Sequence, residues 1–105
     1  MKIHFERSGG FAGISTSVTV DSNSVSFDEQ NIVKNMVDTA RFFELPSETP
    51  LPKRGADYFK YKIRVETEEK SHTIKTNDMT MPSELRPLVN YLEKKTKWST
   101  KGVKR

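Results

Sequence analysis

A short glycine-rich segment, Ser8-Gly9-Gly10-Phe11-Ala12-Gly13, has the residue types that most strongly suggest a function. Three glycines so close together indicate a backbone that takes positive φ or is approached closely by another group. In a phosphate-binding loop the glycines lead into a helix, but here they lead into alternating residues typical of a strand. The glycines could simply close a tight hairpin. Phe11 favours a contact role, because an aromatic residue at a loop tip either folds back onto the sheet or projects as an anchor.

Residues suited to catalysis or metal binding are sparse. The chain has two histidines, His4 and His72, and no cysteine, so a zinc site would need both histidines together with carboxylates such as Glu6. No serine lies in a Gly-x-Ser-x-Gly elbow. The acidic pair Glu68-Glu69 falls in a predicted turn, where solvated carboxyl groups behave as ordinary acids. We therefore expect no enzyme activity, no bound metal and no cofactor, and an enzyme would have to depend on one of the two histidines.

The basic residues are concentrated at the carboxyl end. The chain has a formal net charge of +4, with 18 basic and 14 acidic residues. Six of the basic residues follow Glu93 with no acid among them, so residues 1–93 alone carry a net charge of −2. The segment Lys94 to Arg105 also contains Trp98, and such a segment could hold a nucleic-acid backbone and stack one base. The other interpretation is a flexible, solvated tail, since terminal segments seldom become ordered without docking.

Length and composition indicate one small domain. The chain has 105 residues, of which 33% are hydrophobic, and a domain of this size buries about two-thirds of the surface that its unfolded chain exposes. The first residues alternate between apolar and polar types and lack the apolar run of a signal peptide. No stretch approaches the roughly 20 apolar residues of a membrane span. We expect a monomeric protein, and the absence of cysteine is consistent with a reducing cytoplasm.

Alternation of apolar and polar residues predicts four strands. Their inward positions are Ile3 and Phe5, then Ile14, Thr16, Val18 and Val20, then Phe59, Tyr61, Ile63 and Val65, and finally His72, Ile74 and Thr76. The six residues between the first two strands are too few for a parallel crossover. The first two strands are therefore expected to form an antiparallel hairpin, and the last two a second hairpin.

Two helices are predicted from their first turns and their apolar spacing. Ser26 with Glu29 three residues later is a capping pair, and Pro82 is expected to open the second helix. The apolar stripe of the first helix is Ile32, Val33, Met36, Val37, Ala40 and Phe43, and that of the second is Leu85, Leu88, Val89 and Leu92. Met79 and Met81, beside the second helix, are expected to pack in the core or at its rim.

The resulting order ββαββα predicts an α+β two-layer sandwich, a four-stranded antiparallel sheet with both helices on one face. The other face should meet solvent through Ser15, Ser17, Thr19, Lys60, Lys62 and Arg64. Between the halves, residues 44–56 contain three prolines and show no regular period. Long irregular segments in compact domains are often functional, so this loop is a second candidate contact.

Four separated motifs give the chain a resemblance to the emfourin family, small bacterial proteins that inhibit thermolysin-like zinc metalloproteases. They agree in order and spacing over residues 1 to about 93. The motifs are Arg7-Ser8-Gly9-Gly10-Phe11-Ala12-Gly13-Ile14, Phe42-Phe43-x-Leu45-Pro46, Asp57-x-Phe59-x-Tyr61 and Pro82-x-x-Leu85-Arg86-Pro87-Leu88.

The resemblance implies a tight, competitive, cytoplasmic protease inhibitor in residues 1–93. Residues 94–105, expected to form a basic, flexible tail, are longer and more basic than we expect of the family. The inhibitor's protease-binding residues would be Arg7, Ser8, Gly9, Gly10, Phe11, Ala12, Gly13 and Ile14, with a secondary contact loop of Leu45, Pro46, Pro50, Leu51 and Pro52. Thermolysin-like proteases cut on the amino side of large apolar residues, so the Gly10-Phe11 bond resembles a substrate. The alternative function is a nucleic-acid-binding module that uses the tail together with Lys60, Lys62 and Arg64.

Overall fold

The structure of the chain is a computed structural model, which describes residues 1–9, 15–51 and 58–101, the last five by their backbone alone. Its strands are β1 (Lys2–Gly9), β2 (Thr16–Asp21), β3 (Phe59–Glu66) and β4 (Ser71–Asn77). Its α-helices are α1 (Phe27–Ala40) and α2 (Arg86–Lys101). The predicted order ββαββα and the α+β class are confirmed.

The four strands form one antiparallel sheet in the order β2-β1-β3-β4. Both predicted hairpins are present, and β1 also pairs with β3, so that β1 and β3 lie in the centre. The pairing of β1 with β2 ends at Arg7 opposite Thr16, whereas its pairing with β3 continues to Gly9 opposite Phe59. Strand β3 therefore holds the first two residues of the glycine-rich segment, Ser8 and Gly9, as part of the sheet.

The core lies between the sheet and the two helices. Inward strand residues alternate as predicted, and Ile3, Ile63 and Val65 have no exposed surface. They pack against apolar residues of the helices, including Val33 and Leu88. The polar residues predicted on the other face, Ser15, Ser17, Thr19, Lys60, Lys62 and Arg64, are all exposed. One face of the sheet is thus covered and the other is open.

Helix α1 begins as the capping pair predicts. The Ser26 hydroxyl accepts a hydrogen bond of 3.1 Å from the Glu29 amide, and this satisfies one of the free amides of the first turn. The predicted stripe is narrower than expected, because Ile32 is 54% exposed while its neighbour Val33 is fully buried. Adjacent helical residues point about 100° apart, and of this pair Val33 faces the core while Ile32 points away from it.

Helix α2 begins later and ends later than the sequence indicates. Pro82 precedes a 3₁₀ turn, Ser83–Leu85, and the α-helix begins at Arg86. The helix continues to Lys101 and so crosses the boundary expected after residue 93. Lys95 lies 2.7 Å from a carboxylate oxygen of Glu29 on α1. Residues as far as 96 are therefore part of the packed helix layer.

Candidate functional site

The glycine-rich hairpin leaves the sheet at one end, which we call the loop end. The base of the loop is described as far as Gly9 on one side and from Ser15 on the other, and the predicted contacts Gly10, Phe11, Ala12, Gly13 and Ile14 lie outside the described residues. The start of β3 and the end of β4 lie at the same end, since Gly9 pairs with Phe59 and the Asp78 amide donates to the Phe59 carbonyl.

Gly9 has the conformation that the sequence pattern predicts for a glycine at this loop. Its φ is +89°, and an ideal Cβ on it would lie 2.9 Å from the Tyr58 carbonyl oxygen. Both the backbone angle and this close approach to a neighbouring backbone exclude an ordinary side chain. The direction in which the chain enters the loop is therefore set at a position that only glycine can occupy without strain.

Arg7 lies on the helix side of the sheet and contacts residues of its own chain. Its Nη1 donates to Glu93 Oε2 at 3.0 Å, and its guanidinium lies 4.5 Å from the centre of the Phe59 ring. The Tyr61 hydroxyl donates to the same carboxylate oxygen at 3.1 Å. Burial, together with the neighbouring Glu93 carboxylate, raises the pKa of Tyr61 well above its ordinary value. These contacts fasten the base of the loop to helix α2.

Ser8 lies on the open face of the sheet, opposite to the side that Arg7 occupies. It lines a shallow groove of about 400 Å³ together with Ser15 and Leu51. The groove therefore joins the base of the glycine-rich loop to the proline-containing segment that the sequence marked as a second contact. The two candidate segments, separated by more than thirty residues in the chain, are brought to one end of the sheet.

The proline-containing segment is more regular than its composition suggests. Glu48 forms a parallel bridge with Lys75, so the segment runs along the outer edge of β4. The Leu45 carbonyl accepts a hydrogen bond of 2.7 Å from His72 Nε2, and Leu45 packs against the core. Pro46, Pro50 and Leu51 are exposed. The fifth predicted contact, Pro52, lies outside the described residues.

The two histidines lie on opposite faces of the sheet. His4 is on the open face, where Nε2 lies 2.9 Å from Glu66 Oε2, whereas His72 contacts the Phe42 ring on the helix side. Among the described residues, no group of three or more histidine, cysteine, aspartate or glutamate side chains is placed to hold a metal ion. None of the helices in the described part of the chain is long and apolar enough to span a bilayer.

Glu93 is a residue of the site that no sequence motif indicated. It ends the region of the motifs and lies 86 residues from Arg7, its partner at the loop base. No local pattern relates positions so far apart, because their proximity depends on how α2 lies across the sheet. The only usable signal is their charge: an arginine on the inward side of a strand needs a carboxylate from the covering layer.

Comparison with known proteins gives one match. The sequence model of a protein family described as Emfourin matches residues 5–93, which cover most of the chain and include the glycine-rich loop. No curated protein and no solved structure shows significant similarity to the chain.

Proposed function

Because the chain belongs to the Emfourin family, an inhibitor family, we propose that it inhibits a thermolysin-like zinc metalloprotease by placing the Ser8–Gly13 loop in the active-site cleft. The observation that carries this proposal is the backbone conformation at the base of the loop. Gly9 takes a φ of +89° against the Tyr58 carbonyl, and this fixes the direction in which the loop leaves the sheet. A loop whose base is fixed in this way loses little conformational entropy when it binds a partner.

The proposed mechanism is substrate mimicry. Phe11 fills the apolar specificity pocket of the protease, and the glycines beside it keep the backbone thin enough to enter the cleft. A loop carbonyl or the Ser8 hydroxyl oxygen approaches the zinc of the protease. The proposed contact extends from Arg7 to Ile14. Within it, the residues other than Phe11 support the loop or line its two sides. No metal or cofactor of this chain takes part.

The loop resists cleavage because its base is held by the rest of the domain. Gly9 is paired with β3, and Arg7 is bonded to Glu93 of helix α2. Cleavage requires the scissile peptide bond and the attacking water to be positioned closely. A displacement of about 1 Å can lower the rate roughly a hundredfold. Arg7 therefore acts from the helix side as a support for the loop. We place this inhibition in the cytoplasm.

The secondary contact loop widens the interface. The Leu45 carbonyl holds it on β4 through His72, and Leu51 lines the groove beside Ser8. Pro46, Pro50 and Pro52 complete the proposed secondary contact. Stable protein interfaces bury about 800 Å² on each partner, with roughly 20–30 residues a side. A six-residue loop supplies only part of this area, so neighbouring segments at the loop end must contribute.

The decisive experiment compares Phe11→Ala with Phe27→Ala in an inhibition assay against a purified thermolysin-like protease. Phe27 is 73% exposed and lies on α1, away from the loop end. We expect Phe11→Ala to raise the inhibition constant at least about thirtyfold, the effect of losing a central aromatic anchor. Phe27→Ala should leave it unchanged. A folded Phe11→Ala variant that inhibits as well as the parent would refute the loop mechanism.

Nucleic-acid binding is the weaker alternative. Across the centre of the open face, Lys62 and Lys75 are neighbours, but Glu6 lies beside Lys62 and Glu48 beside Lys75. The paired strands carry no Phe, Tyr or Trp on this face. This row is balanced in charge and offers no stacking surface, so the alternative depends on the basic segment after Glu93. It predicts binding to an oligonucleotide that weakens steeply with salt.

A further inference from the structure

Two large apolar side chains are exposed at the loop end, outside the glycine-rich loop. Leu51 is 73% exposed and Met79 is 62% exposed. Leu51 lies in the proline-containing segment, and Met79 follows strand β4. Each is adjacent in sequence to one of two residues that are hydrogen-bonded to each other, Pro50 and Thr80. We call Leu51 and Met79 the apolar shoulder. Single exposed apolar residues are common on proteins, so the question is whether this pair is held in place.

The backbone that carries the shoulder is held by several hydrogen bonds. The Pro50 carbonyl accepts 2.7 Å and 3.3 Å bonds from the Thr80 hydroxyl and the Asn77 amide group. The Asn77 side-chain oxygen in turn accepts bonds of 2.9 Å and 2.8 Å from the amides of Met79 and Thr80. Asn77 itself is only 1% exposed. One buried amide side chain therefore ties the two segments of the shoulder together.

A threonine cluster strengthens this connection from the other side. Thr49 Oγ1 lies 2.8 Å from Thr76 Oγ1 and 3.0 Å from Thr80 Oγ1. The Thr49 amide also donates to the Lys75 carbonyl at 3.1 Å. Backbone fixed in this way loses little conformational entropy when a partner binds it. An exposed leucine and an exposed methionine on such a backbone are suited to recognition.

We propose that the apolar shoulder is a second docking surface, which contacts an apolar patch of the target protease beside its active-site cleft. This inference rests on the proposed inhibitory function. Area and position support it: the six-residue loop is too small for a stable interface, and the shoulder lies at the same end of the sheet. The methionine has the flexible, polarizable side chain that adapts to an uneven apolar partner.

The test uses four variants of the full chain. Leu51→Ser and Met79→Ser remove the shoulder, and Phe27→Ser and Ile32→Ser are controls at exposed apolar positions of α1, which are 73% and 54% exposed. Inhibition constants and dissociation rates are measured with one purified thermolysin-like protease and a peptide substrate. Thermal unfolding of each variant establishes that it is folded.

We expect each shoulder variant to raise the inhibition constant roughly tenfold, mainly through faster dissociation, and each control to change it less than about twofold. Unchanged inhibition by both folded shoulder variants, in a protein whose Phe11→Ala variant is impaired, overturns the shoulder and leaves the inhibitory function standing. A parent chain that inhibits no thermolysin-like protease overturns both. If the parent sediments as a dimer and the shoulder variants sediment as monomers, the surface joins two copies of the chain and the inference is wrong.

Discussion

Replacing Gly9 by alanine tests whether the loop base is set by backbone geometry. A residue with a Cβ at a φ of +89° carries a conformational cost of roughly 1–2 kcal/mol. The new methyl group would also lie 2.9 Å from the Tyr58 carbonyl oxygen, below the shortest ordinary contact. That oxygen belongs to the backbone and cannot rotate away, so relieving the contact means displacing the start of β3.

Overpacking of this kind costs about 1–3 kcal/mol, which brings the expected loss of unfolding free energy to about 2–4 kcal/mol when some relaxation is allowed. In a domain of about 100 residues, 1 kcal/mol corresponds to a change of roughly 4–8 °C in Tm. We therefore expect Gly9→Ala to lower Tm by at least about 8 °C. The domain should still fold at 25 °C, since total stabilities are typically about 5–15 kcal/mol.

The assay is thermal and urea unfolding of Gly9→Ala beside Ser8→Ala, followed by inhibition measurements on both. Ser8 is the adjacent loop residue and is half-buried on the open face, so its replacement should cost less than about 1 kcal/mol. Inhibition by Gly9→Ala should weaken as well, because the loop is redirected. If Gly9→Ala is as stable as Ser8→Ala, the strain assigned to this position does not exist and the reasoning is refuted.

Two further predictions concern charged groups. Glu93→Gln should lower the free energy of unfolding by about 1–2 kcal/mol in urea titrations, because Arg7 and Tyr61 lose their shared carboxylate, and should weaken inhibition; equal stability and inhibition would contradict the support role. Hydrogen bonding with Lys95 lowers the pKa of Glu29 below its ordinary 4.5, so its stabilisation is present above that pH and lost as the pH falls through the folded-state pKa. Glu29→Gln should therefore reduce the loss of stability between pH 7 and pH 3 in urea titrations, and an unchanged loss would exclude the ion pair as its source.

The elements of the fold were predictable from local patterns. Alternation located the strands, and the Ser26 cap located the start of α1, because both depend on residues close together in the chain. Ile32, predicted on the inward stripe of α1, is exposed, and the second α-helix begins at Arg86 and not at Pro82. A pattern of apolar spacing indicates that a helix is present, but it does not determine the orientation of a residue at the edge of the stripe or the residue at which the helix begins.

The contacts of the candidate site were much less predictable. The loop and its glycines are visible in the sequence, but the Arg7–Glu93 contact and the alignment of Glu48 with Lys75 depend on how distant segments pack. Met79 was expected to pack in the core or at its rim and is 62% exposed. Exposure of an apolar residue is decided by what covers it, and no local pattern contains that information.

The pairing of β1 with β3 also determines when the loop base is completed during synthesis. Gly9 pairs with Phe59, and Lys2 pairs with Glu66, so the first strand must wait for the third to leave the ribosome. The Glu93 support arrives later still, with the last helix. At about 5–20 residues per second, the nascent chain carries its glycine-rich segment for several seconds before the sheet can hold it. A chain interrupted before β3 would contain every residue of the loop and lack the partner strand that directs it.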